Sequence, residues 1–389
     1  MTARIQLPGR PEPTEISLPG WAAGYPPPAS RRVYAAAHVA ATPAEGAAAA
    51  GPGKVNTVDW EATLGFRDHL WSHGFGVAEA MDTAQRGMGL KWRQARELIT
   101  RSSALAAQRR AEGRYASLAC GAGTDHLLAD GGYSIGEIIR AYTEQMEFVQ
   151  SQGADVILMA SRALAADATG PNDYIEVYRT LLKQADRPVI LHWLGEAFDP
   201  ALRGYWGGVD FDTASRTVLE LASHAGEKID GIKLSVLDAA QEVSLRRRLP
   251  PGVRLYTGDD FNYADLIRGD ATGHSDALLG AFAAITRPAA AALRALDADD
   301  VAGYDAAIGP TVPLSRLIFE EPTPYYKTGV AFLAWLNGLQ PHFAMVGGLE
   351  RARPAGHLIR LFELAAEAGA LADPGLAVDR MTGLLRGLS

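Results

Sequence analysis

The residues of this sequence best suited to chemistry lie in Asp230-Gly231-Ile232-Lys233-Leu234-Ser235-Val236. The run reads as a short buried strand with one lysine in its middle. Side chains alternate across a strand, so Ile232, Leu234 and Val236 share one face and Ile229, Gly231, Lys233 and Ser235 share the other. Buried lysines are rare unless they are paired or chemically employed. An apolar face backed by one of glycine, lysine and serine suits a barrel strand with helices outside and a site within. A neutral amine there can attack a ketone to form a Schiff base, and the protonated imine then draws electrons from the adjacent carbon. An unperturbed lysine, with a pKa of about 10.4, is charged at neutral pH. Burial disfavours the charged form and lowers that value. The competing reading is a lysine salt-bridged to Asp259, Asp260 or Glu79.

The elements that must position this lysine follow an alternating pattern. Residues 1–30 carry seven prolines (Pro8, Pro11, Pro13, Pro19, Pro26, Pro27 and Pro28) and read as an extended arm. A strand-like run covers 32–40, and the low-complexity loop 42–53 follows it. Asp59 is a suitable N-cap for an amphipathic helix through His73, ending at Gly74. Strands are then expected at 75–81, 115–120, 156–160, 188–193, 229–236, 253–257 and 271–273. Helices are expected at 91–110, 135–152, 174–184, 211–224, 238–249 and 263–267, and the pattern is purely helical after Asp276. Eight strands alternating with helices imply parallel βαβ units and fit a (β/α)8 TIM barrel of the α/β class. A doubly wound sheet would want a glycine-rich phosphate turn after its first strand. Gly51-Pro52-Gly53 lacks that spacing. The expected organisation is therefore an arm at 1–30, a barrel at 31–280 and a C-terminal helical extension at 281–389.

In a barrel of this kind the chemistry sits at the C-terminal ends of the strands. That rule selects Glu79, Asp82, Asp125, His126, Ser161, His192, Glu196, Lys233, Ser235, Asp259 and Asp260. The 389 residues are enough to bury a sizeable core. A net charge of −8 argues against a general nucleic-acid binder. The one basic run, Arg246-Arg247-Arg248, reads as a solvated helix end. A single cysteine, Cys120, leaves no intramolecular disulfide and no cysteine-based zinc site. No apolar run approaches the roughly 20 residues of a membrane span, and the N-terminus lacks a signal-peptide layout. The expectation is a cytoplasmic protein with a small-molecule substrate and neither nucleic-acid nor membrane partner.

Three stretches in order resemble the dihydrodipicolinate synthase/N-acetylneuraminate lyase superfamily of class I aldolases. Gly231-Ile232-Lys233-Leu234-Ser235 is similar to that family's strand-six lysine motif. Val33-Tyr34-Ala35-Ala36-Ala37, with Thr42-Pro43, is similar to its first strand. Leu317-Ile318-Phe319-Glu320-Glu321-Pro322-Thr323-Pro324-Tyr325-Tyr326-Lys327 resembles its C-terminal "LF-x-E-x-NP-x-P-x-K" stretch. The resemblance runs from about residue 32 to about residue 345. It implies a TIM barrel with a C-terminal helical extension, a Schiff-base lyase mechanism on Lys233, no organic cofactor, and a homo-oligomer, dimer or tetramer.

The departures bear on substrate. Where the family's second strand ends in threonines that hold a 2-keto acid carboxylate, this chain has Asp82-Thr83-Ala84-Gln85-Arg86. Thr83 remains in kind. Arg86 is either a charged grip on the carboxylate, for which a guanidinium is well shaped, or a surface arginine. His192 stands at the place of the family's proton-relaying tyrosine, and imidazole is a competent acid/base near neutral pH. The bland alternative is a core histidine bonded to backbone. Trp193, with Tyr205 and Trp206, offers an apolar or sugar-stacking wall, although tryptophans are more often core. Ser235 on the lysine face and Asp259 in Gly258-Asp259-Asp260-Phe261 complete the expected substrate contacts. His274 and Asp276 are further candidates beyond the eighth strand, where a helix N-cap at Ser275 or Asp276 is the blander reading.

A rival chemistry uses Glu79, Asp82, His126, His192, Glu196 and Asp260 as barrel-mouth ligands of a divalent-metal isomerase or hydrolase. In it Lys233 would polarise a substrate oxygen. No fixed ligand spacing supports it, and no metal site is expected. A barrel retained only to bind a partner is the third possibility.

Overall fold

Eight parallel strands close into a barrel in the computed structural model, which describes residues 2–18, 20–44, 56–127 and 131–388. They are β1 (Val33–Ala36), β2 (Gly76–Glu79), β3 (Leu118–Ala122), β4 (Asp155–Leu158), β5 (Val189–Leu194), β6 (Ile229–Ser235), β7 (Arg254–Thr257) and β8 (Asp276–Leu279). Each pairs with the next in sequence, and β8 closes on β1 through Ala277 opposite Val33. The closed order excludes the doubly wound alternative.

The strands read as short apolar runs because both their faces are buried. Tyr34, Ala36, Ala78, Ala119, Ile157, Ile190, Tyr256 and Leu278 form an interior cluster, separate from the larger shell between barrel and helices. Gly231 faces inward, and a Cβ there would lie 2.6 Å from the Tyr256 ring. Its glycine lets that ring pack edge-to-face with Tyr34 at 6.1 Å.

Helices follow the strands close to the expected bounds, at Trp60–Ser72, Trp92–Ala111, Ile135–Ser151, Pro171–Gln184, Phe211–Ala225, Ala239–Arg246, Tyr263–Arg268 and Thr286–Asp297. Asp59 caps the first as expected, its carboxylate accepting from Ala62 N at 3.0 Å. No helix among the described residues is long and apolar enough to cross a membrane.

The eighth strand corrects the sequence reading. Residues 271–273 form a turn held by Asp270 N to Gly273 O at 2.8 Å, and the strand begins at Asp276. Ala277-Leu278-Leu279 is apolar on both faces, so it carries no period-2 signature and reads as the start of the helical region. His274, Ser275 and Asp276 therefore lie at the start of β8, at the end of the barrel away from the mouth. Asp276 accepts from Arg32 N at 2.7 Å and pairs with Arg254 at 2.9 Å, while Ser275 donates to Glu242 Oε1 at 2.7 Å. Neither His274 nor Asp276 is a substrate contact.

The proline-rich N-terminus folds back instead of standing off as an arm. Thr2–Ile5 and Thr14–Ser17 pair antiparallel, and Ile5, Leu7 and Ile16 are buried. This hairpin packs on helices Ala355–Glu367 and Pro374–Leu388 of the C-terminal extension. Arg10 clamps Glu363, with Nη2 to Oε2 at 2.8 Å. The basic run ends helix Ala239–Arg246, as expected, and there Arg246 and Arg247 meet Asp270 at 2.8 and 3.2 Å. Most of the loop 42–53, with Gly51-Pro52-Gly53, lies outside the described residues.

Candidate active site

Lys233 points into the barrel from β6, level with His192 on β5 and Tyr256 on β7. It is 5% exposed, and its amine makes no ion pair within 4.0 Å and no hydrogen bond among the described residues. The expected alternative of a salt bridge to Asp259, Asp260 or Glu79 is not what the barrel contains. Burial pulls the amine pKa below its ordinary value, and the nearby Asp82 and Asp260 carboxyls oppose that pull. After β7 the chain closes down at Gly258, whose N donates to Leu234 O at 2.8 Å. A Cβ on Gly258 would lie 2.1 Å from Ser235 Oγ and 3.0 Å from Lys233 Cε. Glycine there lets the β7 turn seal the lysine in.

His192 and Ser235 join Lys233 in this layer. His192 Nε2 is 3.4 Å from Ser235 Oγ. Burial holds the imidazole pKa well below its ordinary value, and the Lys233 charge adds to this. His192 is therefore neutral at neutral pH.

Two carboxyls flank the lysine in opposite states. Burial alone would raise the Asp82 carboxyl, but Lys233, Lys327 and a hydrogen bond from Tyr326 outweigh it and hold the pKa at about 2. Tyr326 OH donates to Asp82 Oδ2 at 2.5 Å, leaving Asp82 Oδ1 buried without a partner among the described residues. Asp260 moves the other way. Burial, helped by the like charges of Asp259 and Asp82, raises it to about 8 against the Ala281 N–H bond and the Lys233 charge. One carboxyl is ionised and the other mostly protonated at pH 7.

Above this layer opens a cavity of about 260 Å³. Asp82 and His192 line it together with Arg86, Arg162 and Lys327. Lys233 itself does not line it and sits beside Asp82 and His192, which do. The volume falls near the lower end of small-molecule pockets, about 300–1,000 Å³.

The other expected contacts are placed differently. Thr83 is buried beside the site, but its hydroxyl is engaged with Tyr326 OH at 2.7 Å. Since the tyrosine proton goes to Asp82, the Thr83 proton goes to the tyrosine. Arg86 lines the cavity, yet it is neither surface nor grip. Its Nε and Nη2 hold Asp125 at 3.0 and 2.6 Å, and Nη1 donates to Gly121 O and Ala80 O. With Nη2 also on Gln145, no N–H of its fork remains for a ligand. Asp259 is turned into its own loop, accepting from Phe261 N, Asn262 N and Asn262 Nδ2 at 2.8–3.0 Å. Trp193 faces outward, stacked on Phe211 at 4.9 Å and near Trp206 in the helix layer. Tyr205 and Trp206 are core in the same layer.

The ligand set of the metal reading is dispersed. Glu79 faces the helices, paired with Arg67 at 2.8 Å and bonded by Ser102 at 2.6 Å. His126 Nδ1 meets Gln145 at 2.7 Å, and Glu196 pairs with Arg203 at the surface. Among the described residues no three His, Cys, Asp or Glu side chains converge as ligands would. Ser161 caps a helix, accepting from Leu164 N at 3.0 Å.

Sequence reading missed Tyr326, Lys327, Phe198 and the Arg162–Asp199 pair as site residues. Tyr326 and Lys327 lay inside a stretch already quoted as a landmark. Nothing in local spacing says that helix Tyr326–Leu336, some ninety residues beyond β6, crosses the barrel mouth.

The architecture is that of the dihydrodipicolinate synthase barrels. The structure is similar to dihydrodipicolinate synthase from Oceanobacillus iheyensis (17% identity, TM-score 0.62, covering 86% of this chain and 95% of that one). It is likewise similar to the enzyme from Aquifex aeolicus (16%, TM-score 0.63, 88% and 99%). A third similar structure is YagE, a prophage protein of the dihydrodipicolinic acid synthase family from E. coli K12, in complex with pyruvate (15%, TM-score 0.65, 87% and 98%). Among curated proteins no sequence matches. The chain belongs to the family described as "Protein of unknown function (DUF993)", whose model matches residues 13–388.

Proposed function

We propose that this protein is a Schiff-base-forming lyase, of aldolase or dehydratase type, acting through Lys233 on a small 2-keto acid or sugar-derived ketone. The observation that carries the reading is the buried Lys233 amine, without hydrogen bond or ion pair among the described residues, whose pKa burial lowers. The neutral amine attacks the carbonyl carbon, and the displaced C=O electron pair takes up a proton as the amine loses one. Loss of that hydroxyl as water, with a second proton, leaves the protonated imine. The imine then accepts the electron pair of a bond broken at the adjacent carbon.

The neighbours suit these steps. His192 is kept neutral partly by the Lys233 charge, so it takes up a proton most readily when Lys233 has lost one. Asp260, mostly protonated at pH 7, can give a proton to the departing hydroxyl. Asp82, ionised throughout, stabilises the cationic imine without a proton of its own.

Borohydride reduction in the presence of keto acids and keto-sugars, read by intact mass, tests the reading. A stable adduct is expected with at least one of them, its yield rising with pH as the amine loses its proton. Lys233→Met should fold and form no adduct or product. Turnover by that variant would refute the assignment.

A further inference from the structure

Three cations line the cavity: Arg86 is fully engaged, Arg162 is half exposed to solvent, and Lys327 is buried. Arg86 is saturated by Asp125, Gln145 and backbone carbonyls, and Arg162 gives its Nε to Asp199 at 2.6 Å. Lys327 differs. It is 2% exposed, its amine donates to Pro324 O at 3.1 Å, and it lies 4.3 Å from the centroid of the Tyr326 ring. No carboxylate oxygen lies within 4.0 Å of it among the described residues. An ammonium has three N–H donors, so two remain. Leaving such donors buried and unfilled is costly, and a ligand anion would fill them.

The rest of the wall sets what that anion is attached to. Met88, Met159, Leu194, Phe198 and Leu202 face the same space. Thr83, the residue type expected to hold a carboxylate, is closed off by Tyr326. His192, in register with Lys233 on the neighbouring strand, lines the same cavity as Lys327, so the lysine layer borders the space that Lys327 faces.

We infer that Lys327 anchors the substrate's carboxylate, and that the cavity takes a carboxylic acid with a short apolar tail lying along Leu194, Phe198 and Leu202. This rests on the Schiff-base reading only for what then happens to the acid's carbonyl. Burial brings the Lys327 pKa down to about 8, against the attraction of Asp82 and Asp199 and with the repulsion of Lys233 and Arg162. The cation still predominates at pH 7.

The test is calorimetric titration with 4-methylpentanoate, an acid with no ketone for an amine to attack, beside its uncharged amide. The wild-type protein should bind the acid about tenfold or more tightly than the amide. Lys327→Met should erase that preference, and Lys327→Arg should retain part of it. In wild type and in Lys233→Met, acid affinity should fall as pH rises through about 8, because the amine loses the charge that holds the acid. Equal affinity for acid and amide, no pH dependence, or no binding at about 10 mM would overturn the inference. Those wild-type measurements stand even if Lys327→Met does not fold. The two readings fail separately. Lys327-dependent acid binding without any borohydride adduct would refute the imine and leave the anchor. An undiminished adduct on Lys233 in Lys327→Met would do the reverse.

Discussion

A lysine amine with no partner among the described residues, between an ionised carboxyl and a protonated one, is the residue-scale feature that the other claims depend on. Strand alternation alone put Lys233 and Ser235 on the inner face. The same alternation, applied to β5, puts Trp193 outside once His192 is inside, so the error over Trp193 was avoidable from sequence. Arg86 and Thr83 were not legible in that way. Their donors are occupied by Asp125, Gln145 and Tyr326, partners 39, 59 and 243 residues away. Protonation states were equally hidden, because burial creates them.

Glu242 shows the same effect away from the site. Burial raises its carboxyl from 4.5 to about 8, against the hydrogen bond from Ser275, and its Oε2 has no partner among the described residues. The folded protein thus holds a proton that the unfolded chain releases, so Glu242 contributes a fall in stability as pH rises from about 4.5 to about 8, against the opposite contribution of buried histidines such as His192 and, at higher pH, of Lys233 and Lys327. Glu242→Gln should make that fall shallower in thermal melts. Asp260, shifted in the same direction, should keep it from vanishing. An unchanged slope would contradict the assignment.

At the scale of elements, the barrel is precise where glycines let strands approach. Gly258→Ala would press on Ser235 Oγ and Lys233 Cε, and overpacking of this kind costs about 1–3 kcal/mol. The variant should fold with a lowered Tm and lose most borohydride adduct, because the amine is displaced. Full adduct yield would mean that the β7 turn does not set the lysine's position. Seven of the strands were legible from their flanking turns and helices. The eighth was not, because only Gly280 parts Ala277-Leu278-Leu279 from helix Ala281–Ala284. That misplacement alone carried His274 and Asp276 to the wrong end of the barrel.

Across the whole molecule, the N-terminal hairpin is tied to the last two helices. It covers them, with Ile16 at its centre and 1% exposed. Truncating a buried isoleucine to alanine costs about 2–5 kcal/mol. Ile16→Ala should lower Tm by several degrees while leaving adduct formation at low temperature intact. Loss of adduct in a folded variant would show that the hairpin supports the site as well as the extension. The C-terminal extension also reaches the mouth, for helix Tyr326–Leu336 supplies both Tyr326 and Lys327. The cavity therefore holds one amine on its wall and a second beside its floor, and both have lowered pKa values. Peptide mapping of the borohydride-reduced adduct distinguishes them. The account predicts the modification on the peptide containing Lys233, with Lys327 unmodified. A modification on Lys327, or none on either lysine with any keto acid or keto-sugar tried, would contradict it.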